Sequence, residues 1–378
     1  MGRFFPDPED YPANRLFSLD LLRGLDIFLL TLLGPVVRQG WFKAFPPSES
    51  VYLFWHHSIR SFEGQGCAPI GWGIWDFGQP LFIFICGAAV PFAIPKRLDA
   101  QGRPTEAFWK HVLGRMAMLW GCGMLIRGAL SFTFEGQECW LYADTLQTIA
   151  VAYAAAAFGS LIPRRWIRLA LALALIAVFG VIQATCGDYT QMGNISRIID
   201  ERVFGAIGSH GKDFCYVLTT VAWAAMGILG SLVSELLKSS ASDWTKAGRI
   251  ALCGGGSLVF GLVLGIWIPP IRYIYTVSFI FQTFGLSALL LDVLFVLTDI
   301  LKFRRGCGFF LLFGQCALSA WMLSTFFRCG LQAVASAVIV GMPRLLGTDC
   351  LQSFCFNVAY AVIFVMLVSA RWRLSRKD

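Results

Sequence analysis

Two adjacent histidines, His56 and His57, stand in a polar, glycine-containing stretch, HHSIRSFEGQGCAPIGWGIWDFGQPLFIFICG over 56–87. It runs into an apolar segment that carries Asp76 near its start. Imidazole titrates near neutrality, so it suits proton removal from an amine or hydroxyl, or a transient acyl adduct. Glu63 is near enough in sequence to orient one ring. A loop histidine without a role is the plainer reading, and Asp76 opening the next helix weighs against it. Asp76, Gln79 and Ile83 fall at i, i+3 and i+7 and share a helix face. Pro80, which has no N–H to donate, is expected to kink that helix just past the aspartate. Charge near the mouth of a membrane helix is costly unless it is paired or lines a wet cavity.

Other polar sets recur inside apolar runs. Asp20, Arg23 and Asp26 in RLFSLDLLRGLDIFLL repeat every three residues and read as one face, with Arg23 able to pair with either carboxylate. They suit an anionic ligand or acyl donor, and equally a structural ion pair. Asp144, Gln147 and Thr148 form a stripe at i, i+3 and i+4, with Arg127 a partner for Asp144; interhelical hydrogen bonding is the simpler use. His111 and Arg115, at i and i+4, either contact phosphate or snorkel at the interface, the latter being favoured. Arg272, Tyr275 and Ser278 follow a double proline and either hold a polar substrate or anchor in an aromatic belt. Gln315 and Ser319 are again i, i+4 and are expected to face the bundle, whereas His210 in a long loop tells little. The 12 cysteines contain no CxxC pair and no His/Cys ligand spacing, so no metal or redox centre is expected. Cys67, Cys139, Cys186, Cys329 and Cys350 fall in loops read as external and leave room for one or two disulfides.

The elements that position these groups follow from composition. The 378 residues are 57% hydrophobic and 14% charged. A soluble domain carries roughly 25% charged residues. Mean hydropathy is +0.65. Several apolar runs reach the roughly 20 residues that a membrane helix needs. The expected fold class is an all-α polytopic membrane helix bundle of about ten transmembrane helices. Spans are placed at 16–38, 72–95, 108–130, 143–162, 166–186, 214–237, 249–268, 273–299, 308–328 and 351–371. Residues 331–346 are too short to span and read as re-entrant or surface-lying.

The net charge of +8 is spread in short clusters at helix ends, which fits topology rather than nucleic-acid binding. Lys96, Arg97, Arg103, Arg164, Arg165, Arg168, Lys238, Lys246, Arg249, Lys302, Arg304, Arg305 and the basic C-terminus fall on short connections of one side. The opposite side is poorer in Lys and Arg and has the longer loops, 39–71, 187–213 and 329–350, together with the short acidic loop of Glu135 and Glu138. The positive-inside rule then makes both termini cytoplasmic. The expected organisation is a cytoplasmic tail over 1–15, one transmembrane domain over 16–371 and a basic cytoplasmic tail over 372–378. The polar N-terminus lacks the order of a cleavable signal, so the first apolar segment is kept as a span. A bacterial cytoplasmic membrane is the expected location. A homodimer is an open option.

Together, SLDLLRGLDIF at 18–28, the histidine loop leading into WDFGQPLFIFICGAAVPF at 75–92, YADTLQTIAVAY at 142–153, GNISRIIDERVFG at 193–205 and IPPIRYIYTVSF at 268–279 resemble the heparan-α-glucosaminide N-acetyltransferase family of transmembrane acyltransferases, particularly its bacterial members. The resemblance implies transfer of an acetyl group from cytoplasmic acetyl-CoA to an amino sugar or glycan on the far side. It implies a catalytic histidine in the first extracytoplasmic loop, a role that falls on His57 or else His56. Asp76 matches the acidic residue after the loop, and Asp20 and Arg23 match the first motif. Two departures stand out: the His57–Asp76 gap is longer than the family's, and Cys316 and Ala317 stand where the family has an asparagine and a serine.

The expected donor-binding residues are thus Asp20, Arg23, Asp26 and Arg115, and the expected substrate-binding residues are Gln79, Asp144, Gln147 and Arg272. The competing reading is a transporter or flippase for a glycan or lipid-linked sugar, which polar stripes and broken helices also fit.

Overall fold

A computed structural model describes residues 5–9, 11–12, 15–34, 36–37, 48, 50–51, 54, 71–126, 145–190, 193–204, 216–325 and 349–374, the last helix by its backbone alone before residue 358. Regular structure among these residues is helical, apart from the isolated bridges Gly71–Ile271 and Leu98–Pro104. Helix α1 is Phe17–Phe28, continuing as a π-helical turn over Leu29–Leu33. Helix α2 is Ile74–Ala88, followed by the short helix Val90–Ala93, and α3 is Glu106–Ile126. Helices α4, Thr145–Gly159, and α5, Arg165–Cys186, precede a short helix at Ile195–Ile199. Then come α6, Thr220–Leu237, α7, Asp243–Leu264, and α8, Val277–Phe295, with a π-helical turn over Val296–Ile300. The last three are α9, Gly308–Gln315, α10, Ala317–Thr325, and α11, Asp349–Leu374.

Each apolar stretch read from the sequence is helical where it is described. Ile74–Ala93, Arg165–Cys186, Thr220–Leu237, Asp243–Leu264 and Val277–Ile300 are long and apolar enough to cross a membrane. The pair α9–α10, bent by 79°, makes a sixth if it is one span. Burial separates these helices by role. Inside the protein, 78% of the Ile74–Ala93 window is buried but only 22% of the windows in α5 and α7. An apolar helix left mostly uncovered needs lipid around it. Exposed Trp166 and Trp244 open α5 and α7, and exposed Trp267 follows α7 at its other end, as interfacial anchors do. The described chain is thus all-helical, with the long apolar helices of an integral, multi-pass membrane protein.

The chain divides into two compact units, Met1–Trp55 with Leu297–Asp378, and His56–Val296. In the larger unit α6 packs on α2, α4 and α5, while α7 lies along α8. Small residues set these distances, since backbones in lipid gain by close approach. A Cβ on Gly87 of α2 would lie 2.1 Å from the Gly227 carbonyl oxygen of α6, and one on Gly227 would lie 2.4 Å from the Ala152 carbonyl oxygen of α4.

In the smaller unit α1 meets α9 in the same manner. A Cβ on Gly24 would come within 1.9 Å of the Phe310 carbonyl oxygen, and one on Gly314 within 2.1 Å of the Asp20 carbonyl oxygen. Phe28 packs edge-on against Phe309, Phe310 and Phe313. Leu16, at the N-cap of α1, supplies no side-chain cap; Asp299 instead accepts the Ser18 N–H at 3.1 Å. That carboxylate answers both the open N–H groups and the positive end of the helix. Arg304 pairs with Asp299 at 3.4 Å and lies over the Phe17 ring at 4.4 Å.

Candidate functional site

The polar groups of the larger unit converge at the start of α2. Gly73, in an extended conformation, leads into the helix, and the Asp76 carboxylate reaches back to accept the Gly73 N–H at 2.8 Å. Its other oxygen meets Arg272 Nη1 at 3.2 Å. Asp76 is 0% exposed and Arg272 7% exposed, so this is a buried ion pair. Removing two charges from water costs several kcal/mol each unless partners replace it, which is why such a pair in a membrane protein points to a site. Pro80 lies four residues on, and its missing N–H is the donor that the Asp76 carbonyl would otherwise receive. The helix nevertheless continues through Pro80 to Ala88.

One turn deeper, Gln79 accepts from the Tyr275 hydroxyl at 2.6 Å and donates to Thr148 of α4 at 3.3 Å. Tyr275 is 1% exposed and has φ of +52°, a backbone region that a bulky residue occupies at a cost of about 1–3 kcal/mol. The surroundings hold it there. Trp223 and Phe279 pack on its ring edge-to-face at 5.3 and 5.5 Å, and the neighbouring Ile274 carbonyl accepts from Gln183 of α5 at 2.6 Å. The turn over 269–276 is also fastened to the strand-like entry of α2. Gly71 N–H donates to the Pro270 carbonyl at 2.8 Å, and Thr276 Oγ1 accepts the Ile271 N–H at 2.9 Å. Trp72 donates to Gln282 of α8 at 2.8 Å. The buried Arg272 and Tyr275 therefore belong to a polar interior rather than an aromatic belt. Ser278, also buried, meets Thr276 at 3.3 Å.

Of the stripe expected on α4, Thr148 joins this network, and Gln147 is buried against Gly123 of α3. Asp144 and Arg127 lie outside the described residues, as do His56, His57, Glu63, Glu135, Glu138 and His210. The short helix at Ile195–Ile199 is capped by Asn194, which accepts the Arg197 N–H at 2.9 Å. The buried Asp200 there accepts the Val217 N–H at 3.1 Å, tying this segment to the approach of α6.

At the other end of the same unit, Arg115 of α3 lies over the Tyr153 ring at 4.6 Å, with His111 edge-on to that ring at 6.4 Å. Arg168 of α5 forms a bidentate pair with Glu235 of α6. Sequence reading gave Arg168 no partner because 67 positions separate the two residues. Trp72, Gln183 and Gln282 were likewise missed; their only signal was a polar residue within an apolar run.

The smaller unit holds the Asp20 cluster. Asp20 accepts from Arg23 at 2.8 Å and pairs with Arg15 at 2.6 Å, and the Tyr11 hydroxyl donates to it at 2.6 Å. Burial, and then the Asp20 charge, push the Tyr11 phenol up from its ordinary value, so it stays a donor. Asp26 does not share this face. It is 1% exposed, and among the described residues neither carboxylate oxygen has a hydrogen-bond partner. At 3.6 residues per turn, six positions leave Asp20 and Asp26 about 120° apart around the helix. Arg23, three residues from each, is bonded to Asp20. Gln315 and Ser319 depart from expectation in a similar way. The helix breaks at Cys316, so the i, i+4 register is lost, and Gln315 instead accepts from Trp372 at 2.7 Å.

Cys186 has a free, exposed thiol, so it forms no disulfide. Cys67, Cys139, Cys329 and the side chain of Cys350 lie outside the described residues, as do residues 331–346. Among the described residues no group of three or more His, Cys, Asp or Glu is placed to hold a metal ion. No model of a known protein family and no curated protein sequence matches the chain.

Proposed function

We propose that the protein is a membrane-embedded acyltransferase that moves an acetyl group from cytoplasmic acetyl-CoA to an amino sugar or glycan on the other side. The observation that carries this reading is the buried Asp76–Arg272 pair with its Gln79–Tyr275 extension, at the helix entrance that follows the histidine loop. A buried charge pair and a strained tyrosine at one helix entrance suit a held polar substrate. The motifs that suggest the acyltransferase family supply two sides of this cluster, 75–92 and 268–279.

In this mechanism His57, or His56 in its place, removes the proton of the acceptor amine as its nitrogen attacks the thioester carbonyl. The new C–N bond forms, the C–S bond breaks, and the imidazolium returns its proton to the departing CoA thiolate. General-base work of this kind is worth about 10²–10⁴-fold. Asp76 orients the imidazole. Arg272 and Gln79 hold acceptor hydroxyls, with Gln147 and Asp144 on the α4 side. Arg115, in the same unit, binds the anionic donor. Ten spans, both termini in the cytoplasm and a bacterial inner membrane complete the proposal.

The test is CoA release by purified protein incubated with labelled acetyl-CoA and a panel of amino sugars. Acceptor-dependent release that His57→Ala and His56→Ala together abolish is the expected result. Sugar uptake into proteoliposomes without CoA release would replace this reading with transport. Release at the wild-type rate in the double variant would remove the histidines from the mechanism.

A further inference from the structure

A second recess lies in the larger unit, away from Asp76. Helices α5, α6, α7 and α8 enclose a groove of ≈ 580 Å³ at the end where α5 and α7 begin and α6 ends. Leu169 and Leu173 of α5, Leu232 and Leu236 of α6, and Phe281 and Phe284 of α8 line it. Its rim is basic. Arg165 and Arg249 both line it, both are exposed, and neither is engaged by a hydrogen bond or ion pair among the described residues. Glu235 reaches the same groove, but Arg168 neutralises it through two hydrogen bonds. Nearby Asp243 is paired with Lys246 at 3.0 Å. The uncompensated charge on the rim is therefore positive. Helix α5 adds to it: its N-cap residue, Arg164, makes no side-chain cap, so the positive end of the helix is open at Arg165. Exposed Trp166 and Trp244 mark this level as the headgroup zone.

We propose that this groove binds one anionic phospholipid, its phosphate held by Arg165 and Arg249 and an acyl chain laid along the leucine and phenylalanine walls. The apolar walls give a free phosphate nothing to gain beyond the rim. The two unpaired guanidinium groups favour an anionic headgroup over a zwitterionic one, as basic pockets between membrane helices do. The inference needs only a membrane around α5 and α7 and stands whether or not the protein transfers acyl groups.

Cys253 lines the groove and has an exposed free thiol, while Cys186, also exposed and free, lies outside it. Purified full-length protein in detergent is titrated with phosphatidylglycerol, phosphatidylcholine or inorganic phosphate, and alkylation of each cysteine is followed by peptide mass spectrometry. Phosphatidylglycerol is expected to slow alkylation at Cys253 and leave Cys186 untouched, with phosphatidylcholine far weaker and inorganic phosphate inert. The double variant Arg165→Gln/Arg249→Gln should need about thirtyfold more phosphatidylglycerol, at about fivefold per basic group. A thermal unfolding midpoint equal to wild type without added lipid checks that the variant is folded. Equal protection by the two lipids, protection unchanged in the double variant, protection by phosphate alone, or none by any lipid would each overturn the proposal.

Discussion

The buried Asp76–Arg272 pair makes a prediction that separates its two energetic parts. Removing either partner leaves the other charge buried without its counter-ion, which costs about 3–5 kcal/mol, whereas removing both leaves no buried charge behind. Asp76→Asn and Arg272→Gln should each lower the thermal unfolding midpoint of the solubilised protein sharply. The double variant should fall well short of the sum, and strict additivity would mean that the two side chains do not depend on each other. The members of this cluster could be picked out from the sequence, because a charge or an amide in an apolar run stands out. Their partnership could not. Asp76 has Glu63 and the histidines nearby in sequence, while Arg272 is brought to it by a turn that the α2 entrance fastens through Gly71 and Pro270. Asp26 shows the opposite error: three-residue spacing looks like a face on paper, but a helix turns 100° per residue and carries the third member round the side.

Helix positions were legible for a physical reason. A chain that must satisfy its backbone in lipid forms long apolar helices, and their lengths leave a clear mark in the sequence. Breaks inside helices and the distances between them were not legible. The bend at Cys316 falls in a run with no proline or charge to mark it, and the cap on α1 comes from Asp299, 281 positions away. Distances between helices depend on glycines whose neighbours only the fold reveals. Gly227 touches α4 backbone, while nothing lies within 4 Å of a Cβ at Gly256 on the exposed side of α7. Gly227→Val must therefore push α6 off its neighbours, with overpacking costs of about 1–3 kcal/mol or more. Gly256→Ala should stabilise by about 0.5–1 kcal/mol through lower backbone entropy in the unfolded chain. Thermal unfolding of the two variants should move in opposite directions. If Gly227→Val melts like wild type, the close α6–α4 contact is wrong.

At the scale of the whole molecule, charge and topology must agree. The larger unit is built of helices that alternate in direction. The Arg168–Glu235 pair and the contact of Lys238 with the Pro91 carbonyl at 2.8 Å lie at one end, with Asp76, Gln79 and Tyr275 at the other. If the basic end faces the cytoplasm, the helix α5 terminus at Cys186 faces outward. Between Cys186 and Cys307 the chain passes through α6, α7 and α8, so if each of these helices crosses the membrane once, the two thiols lie on opposite sides. Burial raises the Cys307 thiol above its ordinary range, with Arg304 opposing, so little of it is reactive thiolate at neutral pH. Cys186 is exposed. In intact cells a membrane-impermeant maleimide should label Cys186 and leave Cys307 untouched, and after permeabilisation Cys307 should react, though more slowly than Cys186. Labelling of Cys307 alone from outside would invert the orientation and put the Asp76 site in the cytoplasm. Labelling of both from outside would break the three-crossing path itself, which no choice of orientation repairs.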